Sequence, residues 1–143
     1  MVAALLSADL LVAGCSAALQ VNPAALDDVR GIGKVLGEVT TEGIWSNTKE
    51  VINKLAIDTG SANSREAINK AGDLLRKRKW VAVSQSTSEF MQMKSTVWDG
   101  VYLTIFPFDS SEIELYPEKA QEAIKKASAG SEALLAVSVG QEK

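Results

Sequence analysis

Apolar and polar positions fall into stretches with a helical rhythm. The longest runs from Asn63 to Phe106. Ile68, Ala71 and Leu75 recur at helical spacing in its first part, and Phe90, Met93, Val97, Val101 and Ile105 in its second. That spacing turns one stripe toward a core and leaves the other face wet. Arg76, Lys77, Arg78, Lys79 and Trp80 sit between the two parts. Ser84, Ser86, Thr87 and Ser88 are only fair helix formers, so a kink is allowed there. Pro107 lacks an N–H and clashes with the preceding turn, so the long helix is expected to end at it.

Shorter stretches follow the same logic. Ile44, Thr48, Val51, Ile52 and Leu55 fall on one side of a helix over 44–57, with Lys49, Glu50, Asn53 and Lys54 on the other. Asp58, Thr59, Gly60 and Ser61 read as a loop. Asn63 with Glu66 three residues on reads as a capping box. Residues 24–40 form a helix weakened by Gly31, Gly33 and Gly37, each costing about 1 kcal/mol in a helix interior. Pro117 suits the first turn of a last helix over 117–138, and Glu118 complements its dipole. The pattern therefore predicts an all-α antiparallel helical bundle of three to four helices over residues 21–143, with a separate hydrophobic N-terminal helical segment over 1–20.

Met1–Leu19 is apolar for almost its whole length, with Asp9 its one charge. It reads in four ways: a signal-peptide core, a lipobox at Leu11-Val12-Ala13-Gly14-Cys15, a short spanning helix, or a helix buried on a partner. Leu5, Leu6, Leu10, Leu11 and Val12 are its membrane-facing or partner-packed candidates. Buried, each gains roughly 1.5–3 kcal/mol over exposure to water.

Composition then narrows the chemistry. The 143 residues are 46% apolar, enough for one packed domain. Net charge is −3 and the isoelectric point about 5.0, which disfavours a phosphate-gripping protein, so no nucleic-acid partner is expected. There is no histidine, which removes the commonest general base and zinc ligand, and one cysteine, Cys15. The expectation is no enzyme, no catalytic or metal-ligating residues, no cofactor and no small-molecule substrate.

Three stretches carry further readings. The run Gly31-Ile32-Gly33 resembles the turn of helix-hairpin-helix nucleic-acid-binding proteins. A dinucleotide fingerprint there is rejected, because Asp27, Asp28 and Arg30 precede the glycines instead of a strand. Trp98, Tyr102 and Phe106 offer a pocket for a lipophilic ligand. Arg76, Lys77, Arg78 and Lys79 read either as a solvated collar near a helix end or as a surface that docks an acidic protein or anionic lipid headgroups. Because four adjacent cations repel one another, they are expected, with Trp80 beside them, at a partner-docking surface.

The amphipathic helix, the basic run ending in Lys79-Trp80, the long helix to Phe106 and the proline-started last helix together resemble the small helical-bundle extrinsic subunits of oxygenic photosystems, the PsbQ-like proteins. The resemblance covers about residues 40–140, and the proline-rich arm of plant members is lacking. It implies a non-enzymatic subunit that stabilises a membrane-bound photosynthetic complex, photosystem II ahead of photosystem I. It also implies a chloroplast thylakoid location, lumenal or membrane-associated, with photosystem subunits as partners.

Overall fold

The computed structural model describes residues 20–45, 48–83, 89–130 and 133–142. Within them, α1 spans Pro23–Arg30, β1 Lys34–Trp45, β2 Thr48–Asp58 and α2 Ser64–Lys77. Then come β3 at Trp80–Ala82, β4 at Met91–Ser95 and β5 at Val101–Pro107. A 3₁₀ turn at Ser110–Leu115, α3 at Glu118–Gly130 and β6 at Leu134–Gln141 complete the order. The described strands form one antiparallel sheet in the order β1-β2-β6-β5-β4-β3.

This sheet overturns the all-α helical bundle. The helix expected over 44–57 is the end of β1 and nearly all of β2. The helix over 63–106 is α2 followed by β3, β4 and most of β5. The helix over 117–138 stops at Gly130 and gives way to β6. Pro107 ends β5 and no helix. The physical reason is a second rhythm of period two. Val101, Leu103 and Ile105 point to one face of β5, while Tyr102, Thr104 and Phe106 point to the other. In β2, Leu55 and Ile57 alternate with Lys54 and Ala56 in the same way. Val, Ile, Thr and Tyr favour the pleated surface, and long-range pairing rewards that choice. The helical bundle is corrected with it, and no helix among the described residues is long and apolar enough to cross a membrane, against a membrane-spanning reading of that part of the chain. Leu5, Leu6, Leu10, Leu11 and Val12 lie outside the described residues.

One face of the sheet packs on α1 and α2. Its core holds Val29, Ile68, Leu75, Trp80, Met93, Leu103, Ile105, Val137 and Val139. α2 starts as its capping residues predict. Asn63 Oδ1 accepts from the Glu66 N–H at 3.0 Å, and Glu66 reaches back to the Ala62 N–H at 3.3 Å. Among the described residues the opposite face is covered only toward β1 and β2, where Tyr116 and Ile124 pack on Ala56 and Leu134. Gly37 makes that docking possible: an added Cβ would lie 2.9 Å from both Ala120 Cβ and Tyr116 Cδ2.

The rest of that face carries small side chains along β6, namely Ala136, Ser138 and Gly140. Tyr102 donates to Glu50 Oε1 at 2.6 Å across Gly140, which pairs with Tyr102 in register. A Cβ on Gly140 would sit 2.5 Å from the Tyr102 hydroxyl, so only glycine leaves room for this cross-strand bond. It ties β5 to the hairpin of β1 and β2. That hairpin outruns the sheet, because β2 pairs with β6 only from Asn53 to Asp58, and Ile44 near its tip is 75% exposed.

Two outcomes follow from this packing. Gly37→Ala should destabilise by about 1–3 kcal/mol through overpacking, read as a lower urea midpoint. Gly43→Ala, with nothing within 4 Å of the new Cβ, should shift the midpoint little. Equal shifts would show that α3 does not need the glycine.

The second outcome concerns the two tyrosines. Desolvation first, and the Glu50 bond second, push the Tyr102 phenol well above its ordinary value of 10.0. Desolvation, then the Glu112 charge, push Tyr116 up to about 12. The fold holds both protons longer than the unfolded chain does. The stability they contribute is therefore full below pH 10 and drains as pH rises toward 12. Phenolate absorbance of the folded protein should stay low at pH 10.5 and appear at once on adding denaturant. A native titration centred near 10 would contradict both environments.

Candidate functional site

α2 buries Ala67, Ile68, Ala71, Gly72 and Leu75 along one stripe, with Leu74 partly buried beside it, and Arg76 and Lys77 exposed. Gly72 faces Met91, whose sulfur would lie 2.7 Å from an added Cβ, and this brings the helix close to β4. The helix ends at Lys77 with Arg78 as its cap, and the Lys79 N–H donates to the Arg76 carbonyl at 3.0 Å. Lys79 takes φ 69°, the left-handed conformation that turns the chain out of the helix. β3 begins at the next residue.

The basic run is therefore a helix-to-strand corner and not the middle of a long helix. The corner splits the five predicted docking residues. Trp80 points into the core, is 1% exposed, and donates from Nε1 to Asp28 Oδ2 at 3.1 Å. Arg78 Nη1 donates to Asp28 Oδ1 at 3.1 Å, with half its side chain still in solvent. Asp28 itself is only 9% exposed and lies on α1. Arg76 pairs with Asp73 one turn back at 3.0 Å, a solvated contact worth little. Lys77 and Lys79 are exposed and make no ion pair among the described residues.

The corner gathers Thr96 and Val81, which the sequence alone did not single out, and Val97, which the helical stripe had placed toward a core. The Thr96 N–H and hydroxyl both donate to the Lys79 carbonyl, at 3.0 and 2.5 Å. This holds the β4–β5 turn against the corner. Val97 in that turn is 53% exposed, and Val81 on β3 is 50% exposed. Two solvent-facing valines thus flank two unpaired lysines. Trp80 and Val81, an aromatic and a β-branched residue in succession, were the available signal for a strand here.

The other predicted sites are dispersed. Trp98 packs against the core under α1 and α2, whereas Tyr102 and Phe106 face the opposite side, where Phe106 stacks on Phe90 with centroids 5.3 Å apart. They do not line one pocket. Gly31 caps α1, Ile32 is buried, and Gly33 lies against the Asp58 carbonyl, so this run is the entry to β1. Arg30 is held above its ordinary range, chiefly by its hydrogen bonds to Glu38 at 2.7 and 3.1 Å, which outweigh desolvation. Among the described residues, no cluster of His, Cys, Asp and Glu could hold a metal.

No family model matches the chain, and neither does any curated protein or solved structure. Its chemistry is read from its own residues.

Asp28 supplies the test of the corner. Asp28→Ala leaves the indole N–H of Trp80 buried and unbonded, and should cost about 1–3 kcal/mol. Trp80→Phe removes the same donor, so the two changes should couple in a double-mutant cycle by 0.5 kcal/mol or more, on the order seen for contacting residues. Simple additivity in denaturant melts would remove Asp28 from this role.

Proposed function

We propose that the chain is a non-enzymatic docking subunit that binds an acidic protein surface through the corner between α2 and β3. The carrying observation is the pair of solvent-facing lysines, Lys77 and Lys79, unpaired among the described residues and flanked by exposed Val81 and Val97. Residues 65–79 carry six cations and two carboxylates, a net +4 in a chain whose total is −3. Charge is thus concentrated, and a concentrated patch steers a partner of opposite sign. The valines add apolar area that a purely solvated collar does not need. The photosynthetic partner inferred from the helical resemblance loses the helices that carried it, and only the docking role is kept.

The structure changes which residues should be tested. Reversing Arg78 would break the Asp28 contact and confound binding with stability. Lys77→Glu with Lys79→Glu touches no described ion pair. With poly-L-glutamate as probe, fluorescence anisotropy should show binding at low salt that weakens toward 0.5 M salt, because exposed charges are screened over about 8–10 Å near physiological ionic strength. The double reversal should abolish it with circular dichroism and melting unchanged. Reversing the adjacent exposed pair Lys125 and Lys126 on α3 should leave it intact. Equal loss from both pairs would reduce the corner to ordinary surface charge.

A further inference from the structure

The sheet ends at β3, and the ladder shows which way its backbone points. Thr96 N–H donates to the Lys79 carbonyl, and Val83 N–H donates to the Gln92 carbonyl. With Trp80 opposite Ser95, Val81 opposite Lys94 and Ala82 opposite Met93, residues 79, 81 and 83 turn their backbone groups toward β4. Trp80 and Ala82 therefore aim theirs at the open edge. Among the described residues nothing bonds them there.

An edge of this kind is ordinarily blunted by shortness and by lysine. Here the strand is three residues long, yet Lys77 and Lys79 stand together at its start, with exposed Val81 between the two outward residues. Charge that repels another basic edge attracts an acidic one.

Resting on the docking reading above, we infer that the partner supplies an extended acidic segment, which adds as a strand beside β3. Its backbone bonds the outward N–H and C=O groups of Trp80 and Ala82. Its carboxylates face Lys77 and Lys79, and one apolar side chain covers Val81. Strand addition of this kind draws affinity from main-chain bonds and specificity from alternate side chains. The pairing is short, so the lysines must contribute to affinity.

The test uses the full chain and a labelled heptapeptide of alternating Glu and Val. In an added strand, every second peptide N–H points at β3 and the others point to solvent. N-methylation of one alternate set should weaken binding at least ten-fold, while methylation of the other set leaves it nearly unchanged. Peptide should also slow hydrogen exchange at the Trp80 and Ala82 amides and leave that of Val81, already turned to β4, as it was. Lys79→Glu should weaken the unmethylated peptide. If both methylated peptides bind alike and the two amides do not change, the strand inference fails and the docking reading survives. If poly-L-glutamate binds but the heptapeptide does not, the strand inference again fails alone. If neither binds at low salt, both readings fail together.

Discussion

The carboxylate of Asp28 is the constraint on which the arrangement of this molecule turns. It is the buried polar residue of α1 at the edge of an apolar core, and its two oxygens take two donors from residues about fifty positions away. One bond fixes the indole of Trp80, the largest fully buried side chain. The other fixes the guanidinium of Arg78. Together they hold the amino-terminal helix against the corner where α2 becomes β3. They also decide what the corner shows to solvent. With Arg78 and Trp80 bound inward, the residues on either side of Arg78 are left facing out, and both are lysines. The internal contact thus shapes the external surface.

The sheet is unequally dressed. Among the described residues, two helices cover one face and a single helix covers part of the other. Glycine sets both limits. Gly37 lets α3 settle on β1, and Gly140 lets the Tyr102–Glu50 bond cross β6 at the far side. Between them Ala136 and Ser138 keep the floor low. The buried hydroxyl of Tyr116 finds no hydrogen-bond partner among the described residues, a cost accepted beneath α3.

Parts of this were legible in the sequence, and the reasons differ by element. The start of α2 was readable because Asn63 and Glu66 act locally, on backbone groups three residues apart. The start of α3 was readable after Pro117 for the same reason, and the loop after β2 was visible in Asp58, Thr59 and Gly60. The strands were not, because two templates fitted the same letters. Val97, Val101 and Ile105 are four apart, which suits a helix. Val101, Leu103 and Ile105 are two apart, which suits a strand. Only pairing with β6 and β4 separates the two, and that pairing is long-range. Thr, Tyr and Val content favoured the strand, and the three glycines between 31 and 37 spoke against any helix there. At the corner, the cations were visible, but their division into bound and free was not. That division depends on Asp28, whose approach no local spacing encodes.

Lys79 concentrates the tension between stability and use. Left-handed backbone costs a non-glycine residue roughly 1 kcal/mol or more, and the residue after a helix cap is where glycine is most often found. A glycine would satisfy the same turn without strain. It would also leave the Thr96 bonds intact, since both go to the backbone carbonyl. What glycine would remove is one charge, at the start of an edge strand and beside an exposed valine. The fold tolerates the strained residue because the corner is fixed from three sides: the cap bond to Arg76, the Thr96 bonds, and the Asp28 contacts of its neighbours. A lysine held in that conformation, with no ion pair inside the described molecule for its ammonium group, supports the proposed docking surface.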